Sequence, residues 1–152
     1  MNLLTKIIVA IILSVTVELI AAQEAQQKLA TFLKTDANYK KAKTKIKHLL
    51  EKGAKLDVSI DNPLLIAIEA DSPIMILALH KNGTHLKIPY NHQEMEAHRL
   101  ADLLGKSEET KLLVHNLMLI NIFKNKALSK TQENLYFETL KAINKVKEIG
   151  LP

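Results

Sequence analysis

The sequence predicts an all-α protein, a short solenoid of stacked helix pairs closed by a C-terminal capping helix. Three observations point there. Apolar residues recur at helical spacing from Ala25 onward. Glycine stops and Asn-Pro or Ser-Pro restarts alternate along the chain. Only four Gly and four Pro occur in 152 residues, too few for a turn-rich β-protein. At 47%, hydrophobic residues suffice for one core, and with 4% aromatics and no Trp that core is built from Leu, Ile and Ala. The absence of Cys excludes disulfides and thiolate chemistry and leaves the redox compartment open.

Residues 1–22 are expected to lie outside the fold, as a signal peptide or N-terminal membrane anchor, with 23–152 as one helical repeat domain. Lys6 precedes the apolar run IIVAIILSVTV (7–17), and ELIAA then leads to a small-residue exit at Ala22. The run is shorter than the about 20 residues that cross a bilayer, and Glu18 limits its extension. Export is therefore expected, to a periplasm or the extracellular space, with membrane anchoring as the alternative. Loss of Lys6 and Glu18 together leaves the net charge of +5 unchanged.

In the mature part, Ala25, Leu29, Phe32 and Leu33 share one face of a first helix. Ala42, Ile46, Leu49 and Leu50 stripe a second, which Gly53 stops. Asn62-Pro63 opens LLIAIEA, and Asp71-Ser72-Pro73 opens IMILALHKN, apolar nearly all round and thus central, up to Gly83. A helix over 95–105 ends at Gly105. Ser107 caps the next, which carries Leu112, Leu113, Leu117, Ile120 and Phe123. Ser129 opens the last, striped by Leu135, Tyr136, Leu140, Ile143 and Val146 before Gly150. LDVSI and LKIPY are the only strand candidates.

Placing Gly53 over Gly83 aligns HLLEKGAKL with LALHKNGTHL, a period of about 30 residues in helix pairs, which marks a repeat architecture. NPLLIA (62–67) and IKHLLEKGAKLD (46–57) resemble the ankyrin-repeat family. Pro63, Leu64 and Ala67 stand at that family's proline, leucine and alanine, while Asn62 replaces its Thr and Leu65 its His. EAHRLADLLGKSEETKLLV (96–114) resembles a worn third repeat through Leu100, Ala101 and Gly105. The resemblance covers residues 25–126, about three degenerate repeats. It implies structural roles for Gly53, Pro63, Ala67, Gly83, Ala101 and Gly105. The Gly53–Asn62 connection is short for the family's finger, whereas KIPYNHQ (87–93) allows a full one.

Chemistry-bearing groups are sparse. His92, Glu94, Glu96 and His98 in NHQEMEAH would form i,i+4 pairs on a helix, the one arrangement that suggests a small metal-binding protein or hydrolase. They lack a His-Glu-x-x-His spacing and read more simply as a solvated helix start, so no metal, cofactor or catalytic residue is assigned. No phosphate-binding glycine loop or nucleophile elbow occurs.

Lys40, Lys41, Lys43, Lys45 and Lys47 form a basic helix face with only Tyr39 as an aromatic neighbour. That is a poor nucleic-acid signal. It fits a solvated edge or, for an anchored structural protein, a surface toward anionic lipid. The resemblance to ankyrin repeats implies a non-catalytic protein–protein interaction module. On it the expected contacts are Asp57, Ser59 and Asp61 in one loop, Tyr90, His92 and Gln93 in the next, and Leu65, Glu69 and Arg99 on first helices, with Tyr90 as anchor or as cover for the stack.

Overall fold

The computed structural model describes residues 2–124 and 128–148; the expected stop at Gly150 lies outside them. Among the described residues the chain forms α1 (Leu3–Phe32), α2 (Tyr39–Glu51), α3 (Pro63–Glu69), α4 (Pro73–Lys81), β1 (Lys87–Tyr90), β2 (Gln93–Glu96), α5 (Ala97–Leu103), α6 (Glu108–Phe123) and α7 (Lys130–Glu148). The expected helical character holds.

The helix starts are where the sequence places them. The Asn62 carboxamide oxygen accepts from the Leu64 and Leu65 N–H groups at 3.0 and 3.1 Å, with Pro63 in the first turn. Ser72 caps α4 and Ser107 caps α6. Ser129 and Gln132 exchange hydrogen bonds at the start of α7, a reciprocal box that satisfies two otherwise orphaned N–H groups.

Helices α2, α3, α4 and α5 all end in one device. After α2, Ala54 N–H reaches Leu49 O (3.1 Å) and Gly53 N–H reaches Leu50 O (3.0 Å), with Gly53 at φ +100°. The same bond pair closes α4 at Gly83 and α5 at Gly105. At α3 it closes on Asp71, a non-glycine at φ +52°.

Helix pairs α1–α2, α3–α4 and α5–α6 pack internally. Across pairs, α2 touches α4 and α4 touches α6, while α1 touches α3 and α3 touches α5. Two rows of helices result. Helix α4 is central, with Met75 through Leu79 buried. Ala67 and Ala101 are fully buried, small enough for close helix approach. Side chains also tie successive pairs: Ser107 donates from its N–H and hydroxyl to the Asp71 carboxylate, and Lys106 Nζ donates to Glu69 O at 2.8 Å.

Several expectations need correction. The first helix does not begin near Ala25: α1 runs unbroken from Leu3, although none of Asn2–Ala21 is buried and the core starts at Ala25. Met95 and Glu96 belong to β2 instead of a helix, and α5 begins at Ala97. Of the two strand candidates, LKIPY supplies β1 and LDVSI stays irregular. Helix α7 touches α6, α4 and α2, so it lies across one row instead of only closing the end. Its buried residues are Thr139, Ile143 and Val146, and Leu135 is exposed, as is Leu112 on α6.

Candidate functional site: a cleft beside the β-hairpin

The turn after α2 and the hairpin after α4 leave the same end of their helices and become neighbours. β1 and β2 pair antiparallel from Lys87↔Glu96 to Tyr90↔Gln93, leaving Asn91 and His92 as a two-residue turn, both at positive φ. That geometry matches the right-handed strand twist. Ile88 is fully buried and fixes the hairpin on the stack.

A cleft of about 800 Å³ opens between the 57–62 loop, the hairpin and the C-terminal half of α6. Asp57, Ser59 and Asn62 line one wall, and His85, Lys87, Glu94 and Glu96 another. Met118, Asn121 and Ile122 close it, with Val58, Leu86 and Pro89 as apolar floor. His85 Nε2 lies 3.9 Å from Asp57 Oδ2, and Lys87 Nζ 4.0 Å from Glu94 Oε2. All four side chains are exposed, so each pair contributes little to stability and stays free to exchange partners. Asn62 is the exception: it is buried, with its oxygen on the α3 cap and its amide on Val58 O at 3.0 Å.

The cleft gathers two of the expected contact residues, Asp57 and Ser59. Asp61 is exposed beside it at φ +54°. Leu65 is half-buried and Glu69 and Arg99 are exposed on α3 and α5, away from the lining. Tyr90 is half-buried against the core, and His92 and Gln93 are exposed at the hairpin tip. His85 and Lys87 were not among the expected contacts, and Glu94 and Glu96 were expected only as members of the 92–98 cluster. Of these only Lys87 had a sequence signal, the polar–apolar step from Lys87 to Ile88 that opens KIPY.

The i,i+4 pairing within 92–98 is overturned. His92 sits in the turn and Glu94 and Glu96 on a strand, so the helical geometry those pairs require is absent. His98 instead stands on α5 with its ring 6.3 Å from that of His115. Among the described residues no three His, Asp or Glu side chains converge to hold a metal ion. Comparison with protein-family models, curated proteins and solved structures returns no match for this chain.

Proposed function

We propose that this chain is a non-catalytic protein–protein interaction module, an ankyrin-like stack of helix pairs that α1 directs to or through a membrane. The observation that carries the reading is the convergence of the 57–62 loop, the hairpin and α6 on one mixed cleft. Acidic, basic and apolar groups are mixed there on a helical base, which suits contact with a protein surface. The two rows of helices support the ankyrin-like arrangement, as does the shared ending of α2 to α5. In the proposed contact, the cleft residues bind and the half-buried Tyr90 holds the hairpin in place.

Site-specific photo-crosslinking in the source cell tests this. A benzophenone side chain at Glu94 or Asn121 should give a discrete protein adduct, and one at the exposed Leu135 should not. Equal labelling at all three positions, or none at the cleft, overturns the reading.

A further inference from the structure

We propose that Leu3–Ala22 stays in the chain as a bilayer span and seats the domain end-on, with the 52–60 turn on the lipid headgroups. The proposal rests on the membrane-directed reading of α1, and it sets the 57–59 side of the cleft next to the bilayer surface.

The occupant follows from the shape of the exposed surface. Ile8, Val9, Ile11, Ile12, Leu13 and Val17 point to successive directions around the axis, and all are exposed. A groove or a second copy would cover one side of such a helix, whereas lipid covers every side. At 1.5 Å per residue, the 20 residues from Leu3 to Ala22 give about 30 Å, the thickness of a hydrocarbon core. The helix is unbroken over that length. Its two charges, Lys6 and Glu18, lie about one turn from either end, within reach of the interfaces. Ser14 and Thr16 donate to Ile11 O and Leu13 O, both at 2.9 Å, so their hydroxyls enter satisfied.

The seat follows from the junction, which has no linker. A Cβ on Gly53 would stand 2.9 Å from the Ala22 Cβ. One turn further on, the Gln26 carboxamide accepts from Lys55 N–H at 2.7 Å and donates to Lys55 O at 3.2 Å. Gly53 and Lys55 are thus held within about 6 Å of the end of the span, the depth of a headgroup layer. The turn carries exposed Lys52 and Lys55 against one exposed Asp57, and Ile60 is 80% exposed. Cations beside an apolar side chain suit an anionic bilayer surface. By contrast, α2 runs back along α1, which lifts Lys40 about 20 Å away from Gly53. The Lys40 end of the basic face is therefore turned away from the lipid, while Lys47 lies about 9 Å from Gly53.

The chain lacks Cys, so a single introduced thiol carries an environment-sensitive dye without interference. Full-length protein with Ile60→Cys or Lys41→Cys would be labelled and reconstituted in phosphatidylcholine–phosphatidylglycerol vesicles. The position-60 dye should be quenched by headgroup-proximal spin-labelled lipid several-fold more than the position-41 dye. In source cells, mass spectrometry should find the intact N-terminus in alkali-resistant membranes. Equal quenching in a membrane-retained, intact chain overturns the end-on seat. A soluble chain beginning at Gln23, or lipid-independent oligomers crosslinked through α1, overturns the span as well.

Discussion

At the scale of single residues, four helices share one C-terminal device but fill its left-handed position differently. Gly53 and Gly83 have nearly the same φ, +100° and +101°, yet only Gly53 has a neighbour in the way. Gly83→Ala should cost about 1 kcal/mol, the conformational penalty alone. Gly53→Ala should cost at least about 1 kcal/mol more, because its methyl meets Ala22. Urea denaturation of the two variants checks this, and equal losses would mean that α1 does not press on the turn.

Asp71 occupies the same position without glycine's freedom. Its slight burial pushes its carboxyl up, but the Ser107 N–H and hydroxyl bonds and the Lys106 charge help hold it below its ordinary value. The residue thus trades backbone strain for a tie between successive helix pairs. Asp71→Gly should lower stability by about 1 kcal/mol at pH 7, since charged hydrogen bonds outweigh the relieved strain. A lowered carboxyl stabilises above its unfolded value near 3.9 and loses that effect as pH falls through the folded value. The gap between variant and wild type should therefore close in strong acid.

His80 gives the opposite end of the physiological range. Burial lowers its imidazole, with the neighbouring Lys81 charge adding to the effect. Its neutral form stabilises the fold fully above the unfolded value near 6.5, and that contribution is lost as pH falls through the folded value. Thermal melts between pH 7.5 and 5 should show a smaller decline for His80→Gln than for wild type. Parallel declines would remove His80 as a contributor.

At the scale of elements, the sequence was most legible at the helix starts. Asn62, Ser72, Ser107 and Ser129 each satisfy N–H groups of the helix that follows, so their positions mark the starts. The hairpin was half legible. Its first strand alternates in exposure, but QEME offers a weak pattern, and its turn is Asn91-His92 where Asn-Gly would have announced it. The cleft was less legible still, because Glu94 and Asn121 face one space only once the helix pairs have stacked, a long-range event.

His92 at φ +65° carries a cost that glycine would remove. His92→Gly should stabilise the hairpin by about 1 kcal/mol, read as slower amide exchange at the β1–β2 bonds. Ile88→Ala, which empties a fully buried site, should cost about 2–4 kcal/mol and release the hairpin. If His92→Gly leaves exchange unchanged, the tip is not held in the turn geometry.

At the scale of the whole molecule, one helix belongs to two environments. None of Asn2–Ala21 is buried, while Ala25, Leu29 and Leu33 are among the most buried side chains of the core. The helix therefore changes solvent within about one turn, at the residues that touch Gly53 and Lys55. A chain starting at Gln23 should keep its cooperative core and melt within about 3 °C of the full-length protein in detergent, since it loses only the Ala22 contact. A chain starting at Lys34 removes three buried apolar residues, each worth about 1–3 kcal/mol, and uncovers the inward faces of α2 and α3. It should fail to give a cooperative transition. Calorimetry of the two truncations separates these roles: a large loss at Gln23 would make the apolar half a folding element, and survival of the shorter chain would remove α1 from the core.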